Sequence, residues 1–257
     1  VFTPPNREEY TFGTWVPWWG YVPYDDEDGM GRGYKPPKTW NLTGKTDASG
    51  AHVMHLDFLS VKPAMPMQVS ANASVTDVNR QTWSAASTLI VHPSTAYVGL
   101  KSKKPFVEKG TPFELEVIGV DLDGKVLPGA QIEVKAVRVD YEYKKGRYQR
   151  KEVDPQTCAV TASKDPTPCS FATKEGGTYE VTATILDSRK RPNQTKLTFW
   201  VSGGAQPKAR NVALERVQLI PDKKEYTPGN TAEILIQAPF YPAEAVVSWR
   251  RSGLVKT

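Results

Sequence analysis

Two cysteines are the residues of this sequence with the most specific chemistry. Ten residues lie between Cys158 and Cys169, and they include Asp165-Pro166, a pair that favours a turn. The two thiols could therefore face each other across a hairpin. In an oxidising compartment the spacing predicts a disulfide, with a stabilisation of about 3 kcal/mol from loop-closure entropy. Two free buried thiols are the alternative, whereas a zinc site would lack two of its four ligands.

Other groups that could bind a metal or transfer a proton are sparse. The sequence has three histidines. On a strand, the offset of three positions would put His52 and His55 on opposite faces, and His92 has no predictable local partner. The acidic run Asp25 to Asp28 has the charge of a calcium loop without its ligand spacing. With no Ser-His-Asp or Cys-His set, we expect no enzyme activity, no metal site and no cofactor.

Aromatic side chains crowd the first forty residues. They are Tyr10, Phe12, Trp15, Trp18, Trp19, Tyr21, Tyr24, Tyr34 and Trp40. Rings of this size supply large contact areas. Three interpretations stay open: an irregular segment packed on a β-sandwich, a contact with another protein, and a platform that stacks against carbohydrate.

Composition narrows the class of protein. The 257 residues are 39% hydrophobic and 24% charged, which is enough apolar material for packed cores in about two domains. The 33 basic and 28 acidic residues are interleaved and give a net charge of +5, so no nucleic-acid partner is expected. No run of about 18 apolar residues is present, and we expect no membrane contact.

Hydrophobic residues alternate with polar ones at a period of two, which is typical of strands with one buried face. Such runs occur at Val69 to Val75, Phe113 to Val117, Ile132 to Ala136 and Tyr179 to Ile185. After Ala136 the alternation changes phase, which predicts a bulge or a bend. Turn pairs such as Asp123-Gly124 and Pro128-Gly129 separate the runs. The pattern predicts an all-β chain of antiparallel β-sandwiches.

An internal repeat of about 110 residues divides the chain. Asp77 and Val91 recur as Asp187 and Val201 at one common offset. We therefore expect four units: a partial sandwich with an aromatic-rich opening over 1–96, a complete sandwich over 97–203, a linker over 204–211, and the opening strands of a further domain over 212–257. A half sandwich cannot bury its face alone.

Motifs along the chain resemble those of bacterial α2-macroglobulins. They are Val75-Thr-Asp77-Val-Asn-Arg80-Gln-Thr-Trp83, Tyr97-Val-Gly99-Leu, Asp121-Leu-Asp-Gly124, Gly176-Gly-Thr-Tyr179, Trp200-Val-Ser-Gly203-Gly204 and Leu219-Ile-Pro-Asp222-Lys-Lys-Glu-Tyr226-Thr-Pro-Gly229. The resemblance covers roughly residues 45–257. It implies tandem macroglobulin-like sandwiches of the immunoglobulin or fibronectin type.

The functional implications of the resemblance concern a longer protein. It implies a scaffold fragment of a broad-spectrum endopeptidase inhibitor, which traps proteases after they cleave a bait region. The partners would be endoproteases, bound through parts outside this fragment, and neighbouring macroglobulin-like domains. The expected location is periplasmic or extracellular, with a lipoprotein anchor as one option for the full-length protein.

Two family features are missing from this sequence. The reactive thioester lies in a Cys-Gly-Glu-Gln type motif, which neither cysteine matches, and the bait region is expected beyond Thr257. Within the fragment, the resemblance assigns Tyr226, Pro228 and Gly229 to the turn that opens the bait-bearing domain. The alternative function is a stalk of immunoglobulin-like modules in a bacterial adhesin or glycan-binding protein.

Overall fold

A computed structural model describes residues 2–14, 39–58, 61–144, 147–204, 217–223, 225–238, 244–250 and 254–256. Within these ranges the chain is all-β, as the alternation predicted, and no helix long and apolar enough to cross a membrane occurs among them. The strands are β1 Met67–Thr76, β2 Thr82–Val91, β3 Ala96–Ser102, β4 Phe106–Glu108, β5 Phe113–Asp121, β6 Gln131–Lys144, β7 Arg147–Thr161, β8 Thr167–Phe171, β9 Gly177–Leu186, β10 Pro192–Ser202, β11 Gln218–Pro221, β12 Ile234–Gln237, β13 Trp249–Arg250 and β14 Leu254–Lys256.

Strands β3 to β10 form two sheets, which we call the central sandwich. One sheet has the order β4-β10-β9-β6-β7 and the other β3-β5-β8. Neighbouring strands are antiparallel except for the short parallel pair β4 and β10. Three hairpins, β1-β2, β11-β12 and β13-β14, make separate two-stranded sheets.

The core of the central sandwich includes the side chains of β5, β6 and β9 that the alternation marked as buried. Phe113, Leu115 and Val117 on β5 face the corresponding runs of β6 and β9, and all are almost fully buried. Phe113 is at the centre, because its ring lies 4.6 Å from that of Phe199 and 5.2 Å from that of Phe171. Burial of large apolar side chains from both sheets supplies most of the stabilisation of such a fold.

Residues 2–14, which we call the N-terminal strap, cross one open side of the sandwich. Thr11 exchanges backbone hydrogen bonds with Leu100 on β3, at 2.8 and 3.0 Å. Two residues later, Gly13 accepts a bond of 2.7 Å from the amide of Lys196 on β10. Tyr10 and Phe12 are buried against the outer face of the three-stranded sheet. The strap therefore links one sheet to the other.

Buried polar side chains also join β3 and β10 directly. The amide of Val98 on β3 donates to Oδ1 of Asn193 at 3.1 Å, and Oγ1 of Thr195 donates to the carbonyl of Val98 at 2.6 Å. Gly13 of the strap in turn donates its amide to Oγ1 of Thr195 at 3.0 Å. Asn193 and Thr195 are fully buried, so these bonds replace water on backbone groups that no ladder satisfies.

The predicted irregularity after Ala136 is confirmed, but the extra residue belongs to the partner strand. Ala136 pairs with Gln156 and Arg138 pairs with Val153, so Asp154 and Pro155 of β7 oppose a single residue of β6. Asp154 has a positive φ of 50°. A proline is tolerated here because β7 is the edge of its sheet and the bulge requires no amide donor.

Four turns share one aspartate-led geometry. They begin at Asp47, Asp77, Asp121 and Asp187. In each, Oδ1 of the aspartate accepts the amides of the second and fourth residues that follow, and the third has a positive φ. A short acceptor that satisfies two turn amides explains why aspartate is used.

Asp187 differs from the others because its side chain is buried and makes contacts beyond the turn. Its Oδ2 accepts from the amide of Thr95, at 3.2 Å, and from the guanidinium of Arg191, at 2.7 and 2.8 Å. Burial opposes the charge, but the bonds from Arg191, Thr95 and Arg189 outweigh it and hold the pKa of Asp187 far below its usual value. The turn between β9 and β10 is thereby tied to the start of β3.

The hairpin β1-β2 has the predicted strands but not the predicted buried face. Its side chains are almost all exposed, including Val75, Trp83 and Leu89. The expectation of one buried face over Val69 to Val75 is wrong for the described part of this chain, because no second sheet covers the hairpin there.

Replacement of Gly124 by alanine should destabilise the protein more than the same change at Gly129. Both glycines have a positive φ, of 79° and 85°, which costs an alanine about 1 kcal/mol. Only at Gly124 would the added Cβ overlap a neighbour, the carbonyl oxygen of Pro5 in the strap. We expect Gly129→Ala to cost about 1 kcal/mol and Gly124→Ala about twice that or more, measured by urea unfolding. Equal losses would show that the strap does not pack on this turn.

Candidate functional site

The residues singled out for metal or proton chemistry do not come together. Within the described ranges no group of three or more His, Cys, Asp or Glu side chains could hold a metal ion. His52 and His55 lie in an exposed stretch without strand structure, so the strand assumed for them is absent. His92 has a partner that sequence reasoning missed: its Nδ1 lies 2.8 Å from Oη of Tyr97. Asp25 to Asp28 lie outside the described residues.

The aromatic opening is described only in part. Tyr10 and Phe12 are buried against Tyr97, Ile118 and Val120, as expected for a segment packed on a sandwich. Trp40 is exposed. The remaining members, Trp15, Trp18, Trp19, Tyr21, Tyr24 and Tyr34, lie outside the described residues, so a protein contact or a carbohydrate platform there stays untested.

Cys158 and Cys169 form a disulfide between the two sheets of the central sandwich. Cys158 lies on β7, the edge of the five-stranded sheet, and Cys169 on β8, the edge of the three-stranded sheet. Their ladder partners are Val134 and Leu115, so the cysteines do not face each other within one hairpin ladder. The bond closes the side of the sandwich opposite the N-terminal strap.

A shallow cleft of about 350 Å³ lies beside the bulge of β7. Its lining consists of Asp154, Pro155, Gln156, Ala172, Lys174 and Tyr179. The side-chain amide of Gln156 is already paired with the backbone of Ala172. Its Nε2 donates to the Ala172 carbonyl and its Oε1 accepts from the Ala172 N–H, both at 2.8 Å. One acid and one base without a nucleophile give this cleft no catalytic set, so the interaction surfaces of the chain are the stronger candidates.

The strongest candidate is the junction, by which we mean the contact between the hairpin β11-β12 and the end of the central sandwich. Ile220 of β11 is fully buried against Phe106 and Trp200, which belong to β4 and β10, and Leu235 of β12 packs on the same cluster. Phe106 and Trp200 also pair across the parallel ladder. A small apolar contact therefore attaches the hairpin to the sheet.

A polar network runs beside the apolar contact. Nζ of Lys104, at the end of the sandwich, donates to Oε2 of Glu233 at 2.6 Å. Two hydrogen bonds join Asp222 to the backbone of Glu233. The Asp222 amide donates to the Glu233 carbonyl at 2.8 Å, and the Glu233 amide donates to Oδ1 of Asp222 at 2.9 Å. Tyr226 donates its hydroxyl to the same Oδ1 at 2.6 Å.

Tyr226, Pro228 and Gly229, the residues assigned to a domain-opening turn, lie in the loop of this hairpin. Asn230 donates its amide to the carbonyl of Thr227 at 3.0 Å, and Gly229 has a φ of 90°. Proline at the second position and a positive φ at the third define a type II turn. The turn returns the chain to β12, while Tyr226 bonds back to Asp222.

The titratable groups of the junction stabilise it over a defined pH range. Burial disfavours ionisation of Asp222, but the bonds from Tyr226 and the Glu233 amide outweigh burial and lower its pKa. Burial and the bond to Asp222 raise the pKa of Tyr226, and the bond to Glu233 raises that of Lys104. The contribution of Asp222 is therefore present above the usual carboxyl pKa and lost on acidification. Those of Tyr226 and Lys104 are lost at strongly alkaline pH.

Comparison with known proteins gives one relative that spans nearly the whole chain. No family model matches the sequence. An alpha-2-macroglobulin homolog of Nostoc sp. is 26% identical over 251 residues, which are 95% of this chain and 12% of that protein. Circularly permutated Ras protein 2 of Dictyostelium discoideum is 32% identical over 144 residues, 52% of this chain and 3% of that protein. The crystal structure of Salmonella alpha-2-macroglobulin reacted with methylamine is 18% identical and covers 69% of this chain and 12% of its own, with a TM-score of 0.38.

The resemblance to bacterial α2-macroglobulins is confirmed by the first of these relatives. The chain spans only 12% of that relative's length. The likeness therefore concerns a segment of a large protein, and the activity of the whole does not follow from it.

Loss of the disulfide should lower the free energy of unfolding without abolishing the fold. The bond closes a loop of 11 positions, for which chain entropy gives about 3 kcal/mol, while the core around Phe113 stays intact. We expect the double variant Cys158→Ala, Cys169→Ala to unfold at lower urea, with a midpoint matched by the reduced wild-type protein. Two alkylatable thiols in the unreduced wild-type chain, found by mass spectrometry, would contradict the pairing.

Replacement of Tyr226 by phenylalanine should raise the pKa of Asp222 towards the ordinary carboxyl value, since it removes a donor to Oδ1. The measurement is a titration of the Asp222 carboxyl carbon by NMR. Tyr179→Phe is the matched control, because the hydroxyl of Tyr179 bonds to the Glu175 carbonyl, which does not belong to the polar network around Asp222. An unchanged pKa in Tyr226→Phe would show that the two side chains are not bonded in solution.

Proposed function

We propose that this chain is a scaffold segment of a bacterial α2-macroglobulin-like endopeptidase inhibitor, which traps proteases after they cleave its bait region. One observation carries the proposal: a curated alpha-2-macroglobulin homolog matches 95% of the chain within 12% of its own length. A match that covers so small a part of a long protein fits a frame segment better than a complete inhibitor. This match does not favour the alternative, the stalk of an adhesin.

The construction of the central sandwich supports a structural role. Its two sheets are joined on one side by Cys158–Cys169 and on the other by the N-terminal strap and the bonds of Asn193 and Thr195. A sandwich closed on both sides resists shear between its sheets, which suits a part that holds other parts at fixed positions. A disulfide between sheets also suits a periplasmic or extracellular location.

The junction is the part of the chain through which the next unit would be held. In this proposal residues 97–203 are one macroglobulin-like domain, 204–211 a linker, and 212–257 the opening of the bait-bearing domain. Tyr226, Pro228 and Gly229 would then set the first turn of that domain. Their role would be positional, since the described partners of the Tyr226 hydroxyl, Asp222 and Lys223, belong to its own hairpin.

The trapping step itself belongs to other parts of the longer protein. Cleavage of the bait would trigger a rearrangement that encloses the attacking protease, and the partners of this segment would be neighbouring macroglobulin-like domains. The segment would act neither as an enzyme nor as an active-site inhibitor.

The chain should therefore leave endoproteases uninhibited, whereas the full-length protein should selectively protect large substrates from them. The test incubates each protein with several endoproteases and follows cleavage of a protein substrate and of a small chromogenic peptide. We expect no loss of either activity with the 257-residue chain, and at least a tenfold loss on the protein substrate alone with the full-length protein. Stoichiometric inhibition by the chain would mean that it binds active sites directly. Equal loss on both substrates with the full-length protein would contradict entrapment.

A further inference from the structure

The hairpin β1-β2 has one apolar and one polar face. The ladder places Val69 opposite Leu89 and Val75 opposite Trp83 on the same face, with small residues between them. Those small residues form the pairs Ala71–Ser87 and Ala73–Ala85. The opposite face carries Gln68, Ser70, Asn72, Ser74 and Thr76, with Ile90 as its one large apolar side chain.

The apolar face is exposed in this chain. Val75, Trp83 and Leu89 are 52%, 59% and 42% exposed. A two-stranded hairpin without cover is marginally stable in water, and contiguous apolar surface of this kind marks an interaction site. Scattered surface residues would not select one face of a ladder so consistently.

The ladder of β1-β2 repeats that of β9-β10 position by position. Tyr179 pairs with Phe199 and Ile185 with Asn193, and each pair corresponds to Val69–Leu89 and Val75–Trp83 at the offset of the sequence repeat. The turns correspond as well. Asp77 and Asp187 make the same two amide contacts, and Arg80 and Lys190 have positive φ values of 64° and 58°.

In the central sandwich the equivalent face of β9-β10 is covered by the sheet β3-β5-β8. Val98, Leu100, Leu115 and Val117 of that sheet are buried in the same core as Val181 and Ala183. The incoming sheet is also anchored at the turn, because Oδ2 of Asp187 accepts the amide and the hydroxyl of Thr95, the residue just before β3. The corresponding Oδ2 of Asp77 has one long contact among the described residues, 3.4 Å from Nδ2 of Asn79.

We infer that the apolar face of β1-β2 is the inner face of a second β-sandwich. An antiparallel sheet from a further segment of the same polypeptide covers this face. The residue before the first strand of that sheet bonds to Oδ2 of Asp77, as Thr95 does to Asp187. The inference rests on the internal repeat and does not depend on protease trapping. This chain corresponds to 12% of its Nostoc relative, and a polypeptide of that length would have room for such a segment.

The shape of the face argues against a second copy as the occupant. Two identical hairpins face to face would set the small centre, Ala71, Ala73, Ala85 and Ser87, against itself and leave a void. A covering sheet with larger side chains, as β3 and β5 have at Leu100 and Leu115, fills that centre.

The test places the same charge on either face of one strand. Ala73→Asp puts a carboxylate on the apolar face, and Asn72→Asp puts one on the polar face as the matched control. Amide hydrogen exchange over residues 67–91 is measured in the 257-residue chain and in the full-length protein. We expect exchange at least about 100-fold slower in the full-length protein, preserved in Asn72→Asp and lost in Ala73→Asp, and no effect of either change in the short chain.

Two results would overturn the inference. Equal exchange of the hairpin in the short and the full-length protein would show that nothing covers the face. Self-association of the short chain that Ala73→Asp abolishes, measured by sedimentation velocity, would make a second copy the occupant. The anchor is tested by Asp77→Asn, which keeps Oδ1 for the turn: it should speed exchange at least about 10-fold in the full-length protein, whereas Asp121→Asn, in a turn without an equivalent role, should not.

Discussion

Two sheets can share a dry core only if the open sides between them are closed, because water would otherwise reach both the apolar side chains and the unpaired edges of the strands. This chain closes its two sides by different chemistry. A covalent bond joins β7 to β8, whereas hydrogen bonds from Asn193 and Thr195 join β10 to β3. The N-terminal strap then covers the hydrogen-bonded side with Tyr10 and Phe12. The ring cluster around Phe113 and the junction at Trp200 both depend on this closure, since β10 contributes to each.

The hydrogen-bonded side gains its specificity from groups that are costly to leave unpaired. Asp187, Asn193 and Thr195 are buried, and each holds a defined position of β3 or of the residue before it. A slip of β3 by one residue would leave these acceptors and donors without partners, at a cost of about 1–3 kcal/mol each. The disulfide limits separation on the far side but sets no register between β3 and β10. Register in this sandwich is therefore a property of its polar side, and cohesion a property of its apolar core.

Much of the fold could be predicted from local pattern, because period-two alternation and turn residues act over a few positions. The buried runs of β5, β6 and β9, the irregularity after Ala136 and the repeat of Asp77 at Asp187 are of this kind. Asn193 and Thr195 escaped prediction, since polar residues at core-facing positions resemble surface residues unless their distant partner, Val98, is known. The strap escaped because its strand-like contacts last one or two residues. Of the junction, the sequence predicted only the turn of the hairpin. The contact of Ile220 with Trp200 depends on how two units meet, which no local pattern encodes.

The polar side of the sandwich has a consequence for how the protein can be made. Asn193, Gln194 and Thr195 together spell the Asn-x-Thr acceptor triplet for N-linked glycosylation. The Nδ2 atom that would carry the sugar is buried between the sheets, and the threonine hydroxyl is bonded to Val98. A glycan added to the nascent chain would keep β10 away from β3. By contrast, Asn72 of Asn72-Ala73-Ser74 lies on the exposed polar face of its hairpin. In a host that glycosylates secreted proteins, a glycan on Asn193 would therefore prevent the two sheets from closing. In a host without that machinery the sheets close normally.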